Sequence, residues 1–246
     1  MLRRAMKTRT KAPRKKLTKD EVLAWLEKQG TQKQIDGLAR YGITASKAFG
    51  VSVGTMLRLK KELDRDHALA TALWKSGWYE ARMFAAMIGE PEKVTRKEMN
   101  AWVAEFDNWA ICDTVCWHLW DRAPQAWDRI GAWADAKPEF TKRTAFALLE
   151  CLALHDKSAA DEPFLAALPL IEFAASDERN FVEKGVSWAL RSVGRRSAAL
   201  YAASLELAER LAASKDSTER WIGKDVLRDL TRPKVKAAMA RKSKAR

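Results

Sequence analysis

The recurrence of apolar residues at spacings of three and four, in windows closed by cap signatures and short polar breaks, limits this chain more than any other feature of its sequence. No sustained period-two run of β-branched residues bounded by turn residues occurs, so strands are not expected. Helices are predicted over residues 17–30, 31–41, 56–63, 67–75, 78–88, from 95 through Trp102, within 106–120, and over 124–134, 141–155, 163–175, 180–195, 197–214 and 217–230. Thr18 with Glu21, Thr31 with Gln34 and Thr95 with Glu98 have capping-box spacing, and Leu17 and Val22 sit where a hydrophobic staple would.

The better-patterned helices centre near residues 83, 114, 148 and 187. Intervals of roughly 30 to 40 residues are those of helical-hairpin repeats such as HEAT units, each of which buries its apolar face only against its neighbours. The expected fold is therefore all-α, a curved solenoid (superhelix) of HEAT-like helical-hairpin repeats forming one body.

Charge is distributed unevenly over the 246 residues. Of the net +13, residues 1–16 contribute eight Lys/Arg and residues 231–246 seven, with no acid in either, which leaves the body near −2. The domain reading is a basic disordered tail over 1–16, the repeat domain over 17–230 and a basic C-terminal tail over 231–246. Such tails suit salt-sensitive, sequence-blind contact with phosphates, or serve only as solubilising ends. No run of about 18 apolar residues occurs, so no membrane span or membrane partner is expected. Cys112, Cys116 and Cys151 form no disulfide framework, and a cytoplasmic setting, nucleoid-associated when bound to DNA, is the expectation.

Residues 106–120 read Phe-Asp-Asn-Trp-Ala-Ile-Cys-Asp-Thr-Val-Cys-Trp-His-Leu-Trp. Helical phasing puts Ile111, Val115 and Leu119 on a core face and Trp109, Asp113, Cys116 and Trp120 on the other side. The same division recurs. Trp78 and Arg82 lie away from Phe84, Met87 and Ile88; Arg143 lies away from Ala145, Leu148, Leu149 and Leu152; Lys184, Trp188, Arg191 and Arg195 lie away from Val182, Val186, Leu190 and Val193. In a solenoid these away faces line one concave surface. A plain structural account is that exposed faces carry Lys and Arg anyway and that their tryptophans pack under loops. Three of these helices with Trp beside Arg or Asp favour nucleic acid instead, since cations bind phosphate and flat rings accept bases or cations.

Trp-Ala-Ile-Cys-Asp at 109–113, Arg143 in Thr-Lys-Arg-Thr-Ala-Phe-Ala-Leu-Leu, and Val-Glu-Lys-Gly-Val-Ser-Trp-Ala-Leu-Arg at 182–191 resemble the DNA alkylation repair family, the AlkD-like DNA glycosylases built of HEAT-like repeats. The resemblance covers about residues 20–230 and leaves out both tails. It implies a monomeric, cofactor-free enzyme that cuts the N-glycosidic bond of N3- or N7-alkylated purines in double-stranded DNA without extruding the base. By the same resemblance Asp113 matches the catalytic carboxylate, Trp109 and Trp188 the aromatics beside the damaged nucleotide, Arg143 the DNA-contacting arginine, and Tyr41 a weaker aromatic contact. Arg82, Lys184, Arg191 and Arg195 join the DNA-binding set from their position on the recurring face.

Other chemistries have less support. Cys112 and Cys116 lack CxxC spacing and His118 points elsewhere, so no metal is expected. No phosphate-cradling glycine loop and no HxE/PCxxC deaminase signature is present. Two other classes of function stay open: a non-catalytic HEAT-like protein that binds branched or distorted DNA, and a HEAT scaffold that binds protein.

Overall fold

The structure, a computed structural model, describes residues 14–244. In chain order the helices are α1 (Lys19–Gln29), α2 (Gln32–Leu38), α3 (Val53–Lys60), α4 (His67–Trp74), α5 (Tyr79–Ile88), α6 (Arg96–Val103) and α7 (Trp109–His118). They continue as α8 (Ala126–Trp133), α9 (Glu139–His155), α10 (Glu162–Ala174), α11 (Asn180–Gly194), α12 (Ala198–Ala212), α13 (Ser217–Leu230) and α14 (Pro233–Lys244). No named strand occurs among the described residues, and one isolated bridge pairs Lys15 with Leu63. The helix starts follow side-chain chemistry. Thr18 and Glu21 form a full capping box, and Thr31, Ser52, Asp66, Thr95, Asn108, Ser197 and Asp216 each accept a first-turn amide.

Helices α5, α7, α9, α11 and α13 pack on one another in sequence and form the inner row. Helix α4 packs on α5, α8 on α9, α10 on α11 and α12 on α13, while α6 returns the chain from α5 to α7, which gives the expected solenoid of helical hairpins. Close approach within a hairpin depends on Gly223. A Cβ there would lie 2.2 Å from the Ala212 nitrogen and 2.6 Å from the Ala208 oxygen, so only glycine lets α13 meet α12. The N-terminal helices are anchored differently. Glu80, 1% exposed on α5, accepts the amides of Phe49, Gly50 and Val51 at 2.8, 2.7 and 3.1 Å, and so ties the 49–51 loop to the inner row.

Much of the tryptophan content is structural. Trp74 stacks on Trp102 at 4.1 Å, and Phe106, Trp120 and Trp133 extend the cluster at centroid distances of 5.4–5.8 Å. This stack corrects the expected phase of residues 106–120. Helix α7 ends at His118, and a 3-10 turn (Trp120–Arg122) carries Trp120 into the core at 0% exposure. Cys116 is also fully buried, with Sγ toward the Thr144 carbonyl at 3.9 Å.

The two basic terminal segments are described only in part. Residues 1–13 and 245–246 lie outside the described residues, but Arg14 pairs with Asp64 at 2.9 Å and Lys15 with Glu62 at 2.6 Å. At the other end, α14 packs on α12 and α13, buries Met239 and donates from Lys242 Nζ to the Arg195 and Arg196 carbonyls at 2.9 and 2.7 Å. The C-terminal segment is thus a docked helix. Alanines at 237, 238 and 240 with only Val235 and Met239 for an apolar stripe left little periodic signal.

Candidate functional site

Asp113 stands at the middle of α7, on an inner helix, with its side chain 16% exposed. Asn108 caps α7 through the Ile111 amide and sets where the helix begins, and so which residues share the Asp113 stripe. Trp109 precedes Asp113 by one turn and Trp117, 39% exposed, follows it by one turn. The exposed stripe is therefore Trp109, Asp113 and Trp117, and Trp117 takes the place expected of Cys116.

Arg143 on α9 grips this carboxylate in a bidentate pair. Its Nε donates to Oδ1 at 3.0 Å and its Nη2 to Oδ2 at 2.7 Å, while Nη1 donates to the Phe181 carbonyl at 2.7 Å. Only 4% of Arg143 is exposed. Its burial pulls the guanidinium pKa down, and the Asp113 charge and hydrogen bonds more than reverse this, leaving it raised. Direct phosphate contact, as expected of Arg143, does not fit this placement: the guanidinium faces inward and orients Asp113.

The N-terminal helices reach the same place. Tyr41, 66% exposed, lies in a 3-10 turn (Ala39–Tyr41) whose carbonyl accepts Trp109 Nε1 at 2.8 Å. Gly42 follows at φ +67°, and a Cβ there would meet the Phe181 ring at 3.3 Å, so this corner closes over both Trp109 and Phe181. On α11, Gly185 lies over the Arg143 stem, where a Cβ would be 3.5 Å from Cγ. Half-buried Trp188 is one turn further along α11. Tyr41, Trp109, Asp113, Arg143 and Gly185 thus converge from four elements.

The remaining cations are placed differently. Arg82 turns from Trp78 to lie over Trp74 and pair with Glu105, while Trp78 stacks on Phe49 at 3.9 Å. A carboxylate and an indole within reach drew it off the expected surface. Lys184 lies 3.3 Å above the ring of Trp221 on α13, a residue 36% exposed. Arg191 approaches Asp225 at 3.6 Å, and Arg195 pairs with Asp229. These two buried aspartates on α13 fix the α11 arginines and reduce the positive charge of the surface.

Two further residues belong to this neighbourhood. Trp117 could have been found from its i+4 relation to Asp113. Glu150 follows Arg143 by seven residues on α9, so it lies on the same stripe, and it is 1% exposed. Burial first of all, and then the nearby Asp113 charge, push its carboxyl up to about 7, although Cys151, Ser192 and Arg191 oppose the rise. No cluster of three or more His, Cys, Asp or Glu that would hold a metal occurs among the described residues. No helix of the described residues is long and apolar enough to cross a membrane.

The sequence profile of a family described as DNA alkylation repair enzyme matches residues 22–215. A solved structure reported for a family of proteins related to the HEAT-like repeat DNA glycosylases, with affinity for branched DNA structures, superposes with a TM-score of 0.72. It is 19% identical, over 86% of this chain and 95% of that one, and the likeness carries the fold. No curated protein sequence gives a significant match.

Proposed function

Since this chain belongs to the DNA alkylation repair enzyme family, we propose that it hydrolyses the N-glycosidic bond of N3- or N7-alkylated purines in duplex DNA, with the damaged nucleotide kept in the helix. The supporting observation is a single one: Asp113, clamped by Arg143, stands one turn from Trp109 and one turn from Trp117 on the inner row.

An N-alkylated purine carries a formal positive charge, so it departs with the electron pair of the C1′–N bond and becomes neutral without help from an acid. The enzyme's task then falls on the sugar. As the bond breaks the deoxyribose becomes oxocarbenium-like, and the Asp113 carboxylate stabilises that cation and orients a water for addition to C1′. The water's proton passes to solvent. Arg143 uses one lone-pair direction on each Asp113 oxygen, so the outer directions remain for sugar and water. In this role Arg143 is a positioning residue, because a fixed carboxylate loses no orientation at the transition state. Trp109 and Trp188 hold the cationic sugar and base against their faces, an attraction of up to about 2 kcal/mol each when desolvated. Tyr41 and Lys184 supply backbone contacts around them, and Arg191 and Arg195, met in part by Asp225 and Asp229, contribute less.

Incubating the purified chain with methylated duplex DNA and quantifying released 7-methylguanine and 3-methyladenine tests the proposal. Release by the wild type, lost in a folded Asp113→Asn variant, is the expected result. No release under conditions where a known glycosylase works would reject it. A second reading, a non-catalytic protein for branched DNA, has its own support. The Asp113–Arg143 pair also serves simply to tie α7 to α9, and the solved neighbour is reported with affinity for branched DNA structures. Junction binding without base release is its signature.

A further inference from the structure

A second concentration of positive charge lies outside the concave face. Helices α5, α7, α9 and α11 alternate with returning helices, so they run the same way and their C-termini share one edge of the solenoid. Helix C-termini favour a cation each. Here nine Lys and Arg of the described residues line three consecutive clefts, Arg14, Lys61 and Arg195 among them. A cleft of about 470 Å³ beside the end of α3 holds Lys60 and Arg65. The next, about 520 Å³, holds Arg122, His155 and Lys157. The third, about 720 Å³ and bordered by α14, holds Lys157, Arg196 and Lys242, and Arg195, paired with Asp229, stands where this cleft meets the concave face. Lys157 lines both of the last two, and Arg122 lies within electrostatic reach of Lys60 and Arg65, so the strip is continuous.

Carboxylates offset this charge only in part. Asp64 lines the first cleft, where it pairs with Arg14, and Asp156 lines the second, where it accepts from the Ser158 hydroxyl and the Ala159 amide. Buried Asp121 is shared between Arg122 and His155. Arg196 donates to the Ala153 and Ala159 carbonyls and Lys242 to those of Arg195 and Arg196, so both are oriented by backbone rather than neutralised. Asp161 and Glu162 line the third cleft, and Asp161 accepts from Ser197 Oγ at 2.7 Å. The local field is nevertheless positive at both ends of the strip. Burial and then Arg65 and Arg122 hold Lys60 below the ordinary lysine value, as burial and then Lys157 and Arg196 do for Lys242. Burial followed by Lys60, Arg122, Arg65 and His155 pushes His118 down to about 4.

The dimensions select an extended ligand. Three steps between neighbouring helices at roughly 8–10 Å each make a strip of about 25–30 Å. That is most of one duplex turn of about 34 Å, and far longer than an isolated phosphate. We propose that this edge binds the phosphate backbone of a second nucleic-acid arm, separate from the one on the concave face, so that the protein engages duplexes that branch or bend sharply. This holds whether or not Asp113 cleaves a bond.

The test uses the full chain, the Lys60→Gln/Lys157→Gln/Lys242→Gln variant, and Lys157→Gln alone, whose exposed side chain can be changed without disturbing the core. Each is titrated over a range of salt with a four-way junction, with a linear duplex, and with phosphatidylcholine vesicles containing phosphatidylserine. Each lost phosphate contact lowers the slope of log K against log salt by about 0.9, so the triple variant is expected to lose about 2.7 on the junction and the single variant about 0.9. The linear duplex, bound on the concave face, keeps its slope. Equal losses on junction and duplex, no loss on either, or an edge-dependent affinity for the vesicles in place of the junction would overturn the proposal.

Discussion

Replacing Asp113 by Asn should destabilise the fold as well as stop the proposed chemistry, and the size of that effect can be worked from the pair. Removing one partner of a buried ion pair costs about 3–5 kcal/mol, because the other charge is left in a site it cannot leave. Arg143 is such a charge, 4% exposed and packed under Gly185. Two features soften the loss. The Asn oxygen still accepts one of the two donors, and Phe181 keeps Nη1. Asp113 is also open enough at 16% for water to reach the vacated position. The expected cost is therefore about 2–3 kcal/mol, and at roughly 2–4 °C per kcal/mol for a chain of this length Tm falls by about 4–12 °C. A double-mutant cycle isolates the pair: Asp113→Asn with Arg143→Met should lose about 2 kcal/mol less than the sum of the single changes. Urea unfolding followed by circular dichroism measures all four proteins. An Asp113→Asn protein as stable as wild type would show that the clamp does not form in solution, and would remove the argument that Arg143 is a positioning residue.

Glu150→Gln should change stability with pH in a defined sense. The carboxyl rises on folding from an ordinary value of 4.5 to about 7, so folding opposes its ionisation: wild type is least penalised below pH 4.5, loses stability as pH rises through 7, and the variant should gain about 3 kcal/mol at pH 8 but almost nothing at pH 4. Glu80→Ala leaves three amides of the 49–51 loop without an acceptor and should cost about 3 kcal/mol or more, with hydrogen exchange at Gly50 and Val51 accelerating ahead of the inner helices. Gly223→Ala drives a methyl into the α12 backbone and should lower stability by more than about 2 kcal/mol by urea unfolding; an unchanged midpoint would show that α12 and α13 separate easily.

The repeat architecture was legible because its causes are local. Cap residues such as Thr18, Thr95 and Ser197 act within one turn, and the inner-row stripes of α9 and α11 are long and regular. Asp113, Trp109 and Arg143 came together because consecutive inner helices put their away faces side by side. What sequence left out was distance across helices. At 100° per residue Trp117 lies about 40° from Asp113 and Cys116 about 60°, so phase alone barely separates them. The packing of α7 on α9 decides it, by seating Cys116 against Thr144. The partnership of Glu80 with a loop some thirty residues back has no local signature at all.

The burial of Arg143 also bears on how a solenoid of this kind divides its cations. An arginine at the middle of the inner row is surrounded by neighbouring helices on both sides, so its charge must be met by a protein carboxylate, and once met it is withdrawn from phosphate. Arg82 with Glu105, Arg191 with Asp225 and Arg195 with Asp229 follow the same rule to different degrees. Free positive charge then survives where helix carbonyls rather than carboxylates do the orienting, as at Arg196 and Lys242 on the C-terminal edge. The expected consequence is that the centre of the molecule orients one carboxylate, and that the edge site proposed above carries most of the salt-dependent affinity. A salt slope that fell more in Lys184→Gln than in the edge triple variant, on junction DNA, would reverse that order.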